Sequence, residues 1–72
     1  MDEQNILKTF GFNFKIARMK LNLSQDNIAD LTNFSKAYIS NVERGKHNLS
    51  LINALKFAKV VNKSIEELIS EA

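Results

Sequence analysis

The chain has no cysteine, no proline and no tryptophan, and only two glycines, one tyrosine and one histidine among 72 residues. Without cysteine there is neither a disulfide framework nor a thiolate metal site, a usage compatible with a reducing cytoplasm. A single histidine among scattered carboxylates makes no recognisable metal site, and no metal or other cofactor is expected. Two glycines cannot build a glycine-rich phosphate loop, and no His–carboxylate cluster suggests acid–base chemistry, so the pattern is not that of an enzyme. No apolar run approaches the roughly 20 residues of a membrane span, and the polar start MDEQN is not a secretory signal. What is present is 44% hydrophobic residues uninterrupted by proline. That favours one small, mostly helical domain with a single core of marginal stability.

A formal net charge of +2 is too mild to imply a polyanionic partner; its distribution says more. Residues 36 to 63 carry Lys36, Arg44, Lys46, Lys56, Lys59 and Lys63 against Glu43 alone, whereas residues 64 to 72 carry Glu66, Glu67 and Glu71 with no base. In the first 35 residues, acids and bases balance. Positive potential therefore gathers in the second half, as a phosphate-binding face requires, although a mixed soluble surface has the same composition.

The chain is punctuated by Asn22-Leu-Ser24, Asn33-Phe-Ser35, Asn48-Leu-Ser50 and Asn62-Lys-Ser64. Asn tolerates positive φ and suits a helix stop, and Ser suits the N-cap of the next helix. At the third site Gly45 is the better stop, so Gly45 to Leu49 reads as a longer loop. Without a secretory signal, the match of these sites to the N-glycosylation pattern carries no weight. The punctuation predicts five helices, near residues 6–21, 25–32, 36–44, 51–61 and 65–70. Phe10, Phe14, Ala17 and Leu21 form the core-facing stripe of the first, with Lys15 and Arg18 beside it. Ser64 and Glu67 form the one full capping box, at the fifth helix, where Ile65 and Leu68 close the core.

The organising stretch is QDNIADLTNFSKAYISNVER, residues 25 to 44. Ile28 and Leu31 give the second helix an apolar face, and small Ala29 permits a close helix crossing. Ile39 and Val42 give the third helix its own apolar pair at i,i+3 spacing. Lys36, Ala37, Ser40, Asn41 and Arg44 face away from that pair. Short polar and basic side chains on an exposed helix are what reading a DNA major groove requires, and the stretch reads as a helix-turn-helix.

Helix four has apolar residues over too wide an arc. Leu51, Ala54, Leu55, Phe57, Ala58 and Val61 cover roughly 160°, more than one core contact needs. Ile52 and Val60 fall outside even that arc. The pattern fits a homodimer contact built from Ile52, Phe57, Val60 and Ile69; it also fits scattered surface apolar residues, which are common.

From Phe10 to Ile69 the chain resembles the lambda-repressor-like (Cro/C1, or XRE) helix-turn-helix family. The resemblance lies in FGFNFKIARMKLNLSQ, in Ala29, and in YISNVERG with the loop and helix after it. The run YISNVERGKHNLS, Tyr38 to Ser50, is similar to controller proteins of restriction–modification systems. Asn22 and Asn33 stand where the family often has Gly, and both tolerate the left-handed conformation. The resemblance implies an all-α, five-helix domain acting as a homodimeric, sequence-specific regulator on a palindromic operator in double-stranded DNA. It further implies a cytoplasmic, nucleoid-associated protein of bacterial or phage type, with RNA polymerase as a candidate partner, no membrane and no small-molecule effector.

The resemblance also assigns residue roles. Gln25 would bond a phosphate with help from its helix N-terminus. Ser35, Lys36, Ala37, Ser40 and Asn41 would face base edges, with Arg44 reaching a base or the backbone. Tyr38 would touch phosphate or sugar near the dyad, or else pack against helix two. Lys46, His47, Asn48 and Ser50 would press on the backbone, and Arg18 and Glu43 would form a structural ion pair. Alternatives are a phage-type repressor, an antitoxin autoregulator or, from another class, a protein-interaction adaptor using the same fold. Acidic or bulky apolar residues on the third helix would favour the adaptor; Lys36, Ser40, Asn41 and Arg44 favour DNA.

Overall fold

The computed structural model describes residues 2–71. It is all-α, with helices α1 (Glu3–Lys20), α2 (Gln25–Thr32), α3 (Lys36–Glu43), α4 (Leu51–Val60) and α5 (Ile65–Ile69), and no strand among the described residues. The punctuation explains the element boundaries. Asn22, Asn33, Asn62 and Gly45 have φ of 58°, 64°, 56° and 70°, so each helix through α4 is followed by a left-handed residue that turns the chain. Ser24, Ser35, Ser50 and Ser64 each accept a hydrogen bond from the backbone N–H three residues on.

Two boundary expectations change. α1 begins at Glu3 rather than near residue 6, because Asp2 is a further N-cap whose carboxylate accepts from the Asn5 N–H at 2.8 Å. The capping box on α5 is not the only one. Asn27 returns its side-chain oxygen to the Ser24 N–H at 2.8 Å, so α2 is boxed as well, with Asn in place of Glu or Gln.

The core gathers Phe10, Phe14 and Ala17 of α1, Ile28 of α2, Ile39 and Val42 of α3, Ala54, Phe57, Ala58 and the following Val61, and Leu68 of α5. Phe57 is its hub. Its ring meets Phe14 edge-on at 4.9 Å, stacks on Phe34 at 4.9 Å, and lies 6.3 Å from Phe10 and 5.9 Å from Tyr38. Fully buried at 0% exposure, Phe57 has no surface to offer a second copy, and its expected place in a dimer contact is corrected to the monomer core.

Four leucines expected on inward faces are exposed instead. Leu21 follows the last turn of α1, Leu31 is 63% exposed, and Leu51 and Leu55 are 69% and 49% exposed. At about 100° per residue, Phe57, Val61, Ala54 and Ala58 already span the width that one core contact occupies, leaving Leu51 and Leu55 on the flank.

α1 and α3 approach so closely that glycine is required. A Cβ at Gly11 would lie 2.2 Å from the Val42 carbonyl oxygen and 2.7 Å from that of Glu43. Gly45, besides its positive φ, sits against the Lys8 backbone, where a Cβ would come within 2.8 Å of the Lys8 Cα. Both glycines thus fix the end of α3 on α1. On the opposite side Asn13 closes α5, donating to the carbonyls of Leu68 at 2.9 Å and Ser70 at 2.8 Å.

Candidate nucleic-acid interface

α3 is held from beneath and open above. Ile39 and Val42 are buried, and the helix end is locked by the Arg18–Glu43 pair, itself buried. Arg18 Nε donates to Glu43 Oε2 at 2.7 Å and Nη2 to Oε1 at 3.1 Å, the bidentate fork of guanidinium on carboxylate. Nη1 donates to the Leu23 carbonyl at 2.8 Å, and the Gln25 amide donates to Glu43 Oε1 at 3.1 Å. α1, the start of α2 and the end of α3 therefore meet at one carboxylate. No buried side-chain polar atom among the described residues lacks a partner.

On the outward side of α3, Ser35, Lys36, Ala37 and Arg44 are exposed, and Ser40 and Asn41 are half-buried. The structure brings all six onto one surface: the N-cap, the first turn, the middle and the C-cap of a single eight-residue helix. Side-chain polar atoms of Ser35, Lys36, Asn41 and Arg44 already have partners. Ser35 Oγ accepts from the Tyr38 N–H at 3.0 Å. Lys36 Nζ lies 3.5 Å from Asp26 Oδ1, an exposed pair that links the first turns of α2 and α3. Arg44 Nη2 donates to Asn41 Oδ1 at 2.6 Å. Asp26 had no place among the residues assigned from the sequence, since its proximity to Lys36 exists only in the fold.

Around this surface lie the residues expected at the backbone. Gln25, half-buried, donates one amide hydrogen to Glu43 and has a second on the same nitrogen. Tyr38 is half-buried, but against the turn and α4 rather than α2. Its ring meets Phe34 at 5.1 Å and His47 at 5.7 Å, and its hydroxyl accepts from Asn53 Nδ2 at 3.0 Å. Its own hydroxyl hydrogen remains available. Lys46, His47, Asn48 and Ser50 are all exposed in or at the end of the loop between α3 and α4. Asn53, which positions Tyr38, was missed because a helical Asn outside any motif gives no sequence signal.

The other assigned residues separate. Ile52 is 62% exposed, Val60 and Ile69 are half-buried, and Phe57 is inside. Ile52 shares the flank of α4 with Leu51 and Leu55, whereas Val60 lies with Leu31, Thr32, Lys56 and Lys59 along a groove between α2 and α4. Among the described residues no cluster of three His, Cys, Asp or Glu could hold a metal, and no helix is long and apolar enough to cross a membrane.

The helix-turn-helix family model matches residues 14–68, spanning the whole of this arrangement. The control protein C.BamHI of Bacillus amyloliquefaciens is 35% identical over 66 residues, which cover 90% of this chain and 82% of that one. The crystal structure of the restriction-modification controller protein C.AhdI from Aeromonas hydrophila aligns with a TM-score of 0.79 at 37% identity, over 86% of this chain and 94% of that one. The controller protein C.Esp1396I, solved as a tetramer in complex with its natural 35 base-pair operator, aligns with a TM-score of 0.75 at 25% identity, over 90% and 96% of the two chains. The chain belongs to the Cro/C1-type (XRE) helix-turn-helix family of DNA-binding transcription regulators. Within that family it is similar to the controller proteins of restriction–modification systems, which are regulators rather than enzymes.

Proposed function

We propose that the protein is a homodimeric controller-type regulator that binds a palindromic operator and is specific for its sequence. The observation that carries this reading is the outward row of exposed Lys36 and Arg44 with half-buried Asn41, on a helix whose opposite side is locked by a buried ion pair. A rigid helix presenting donors is suited to base edges, and the basic loop with Lys46 is suited to the adjoining phosphates. Gln25 and Tyr38, each with one free hydrogen beside that helix, would add backbone contacts that fix its register.

Size supports the dimer. The protein measures 32 × 21 × 19 Å and carries one recognition helix. Half-sites one turn of DNA apart are separated by about 34 Å, so a single copy reads one of them and two copies are needed for both. The C.Esp1396I complex, a tetramer on its operator, is in keeping with repeated units on DNA. Cytoplasmic, nucleoid-associated residence and contact with RNA polymerase at a promoter belong to the same reading.

The test is selection from a random duplex pool at about 150 mM salt, where non-specific phosphate attraction is weakened. Recovery of a palindrome with half-sites about one helical turn apart is the expected result. Failure of folded protein to enrich any sequence would instead favour the adaptor reading.

A further inference from the structure

We infer that Asn41 and Arg44 act as one reading unit that turns donors to the groove, and that it selects guanine and rejects adenine at the base pair beneath it. The inference rests on the operator-binding reading above and deepens it by naming the base chemistry. The guanidinium of Arg44 has five N–H donors and no acceptor. Its 2.6 Å contact with Asn41 therefore fixes the Asn41 amide with Oδ1 towards Arg44 and Nδ2 away from it.

An unencumbered Asn reads adenine with both ends, accepting from the N6 amino group and donating to N7. Asn41 has Oδ1 turned towards the Arg44 cation, which takes one of its lone pairs and repels other donors there, and presents two N–H donors on the other side. Adenine would leave its amino group facing another donor. Guanine offers two adjacent acceptors, O6 and N7, to the Asn41 amide and to the remaining donors of Arg44, and thymine offers O4 alone. The rest of the face is biased in the same direction. Lys36 has no acceptor, and the Ser35 and Ser40 hydroxyls can donate as well as accept, with one Ser35 lone pair taken by the Tyr38 N–H. Asp26, at the edge, faces Lys36 and not Asn41.

The decisive measurement repeats the duplex selection with the wild type, Asn41→Ala and Arg44→Ala, each confirmed as folded by circular dichroism. The position whose preference relaxes in Asn41→Ala identifies the base pair that Asn41 reads. There the wild type should favour guanine over adenine by about tenfold, in line with one bidentate contact. Arg44→Ala frees Oδ1, so the preference at that same position should turn towards adenine. Adenine chosen by the wild type, an unchanged preference in Arg44→Ala, or no position relaxed in Asn41→Ala would each overturn the coupling while leaving operator binding intact. A wild type that enriches no sequence would overturn both readings together.

Discussion

A single carboxylate, Glu43, ties three helices together. It takes two bonds from Arg18 and one from Gln25, at the point where three helices converge under the reading surface. Burying two charges is costly, and a buried pair is often matched in stability by apolar residues of similar volume. Removing one partner is different, because the other charge stays buried alone. Arg18→Ala should therefore lose about 3–5 kcal/mol in urea unfolding. The double variant Arg18→Met with Glu43→Met should recover most of that loss, and a double variant as unstable as the single one would contradict this account. At this scale the sequence is read well where a residue belongs to a pattern and poorly where only three-dimensional proximity matters. Arg18 and Glu43 were paired through the resemblance, 25 residues apart. Gly11 was not singled out, because nothing along the chain reveals that the carbonyls of Val42 and Glu43 pass within van der Waals contact of its Cα hydrogens.

Elements were the most legible level. Three of the four Asn-x-Ser triplets couple a stop to a start, with Gly45 as the stop before the remaining one, Asn48-Leu-Ser50, and local backbone chemistry of this kind is written in neighbouring residues. The inward or outward direction of α4 was less legible, since six apolar residues over a wide arc admit more than one orientation and packing against Phe14 and Phe34 selects among them. The capping box on α5 yields a pH prediction. The Glu67 carboxylate accepts from the Ser64 N–H at 3.0 Å and lies 3.8 Å from Lys63 Nζ. The backbone bond from Ser64, aided by the Lys63 charge, lowers its pKa below the ordinary value. A carboxylate with a lowered pKa in the folded state favours folding above its unfolded-state pKa. That contribution is lost as pH falls through the folded-state value. An NMR titration of the Glu67 side chain should give a lower midpoint in the folded protein than in the urea-unfolded chain. Glu67→Gln should remove this part of the acid dependence of α5, and equal midpoints would mean that the box contributes no linkage.

The whole molecule presents two different surfaces, and their separation bears on assembly. Lys36, Asn41, Arg44 and Lys46 present donors on α3 and the loop after it, while Leu51, Ile52 and Leu55 leave one flank of α4 apolar and exposed. A domain with its only aromatic hub already filled by Phe57 gains nothing internally from three large exposed side chains on one helix. Against a second copy the same side chains would be covered, and the two recognition helices would be carried at a fixed distance on one face. On this view the dimer contact centres on Ile52 with Leu51 and Leu55, and Val60 contributes less because it lies towards α2. Ile52→Asp places a charge within the patch without touching the core, so the variant should fold with an unchanged helical signal but sediment as a monomer. Loss of the second half-site should weaken operator binding and reduce the steepness of its salt dependence by the phosphates that the second copy contacts, because each neutralised phosphate adds about 0.9 to the slope. Val60→Asp is the comparison. If it dissociates the dimer and Ile52→Asp does not, the contact runs along the groove between α2 and α4 instead, and the exposed flank of α4 is only surface.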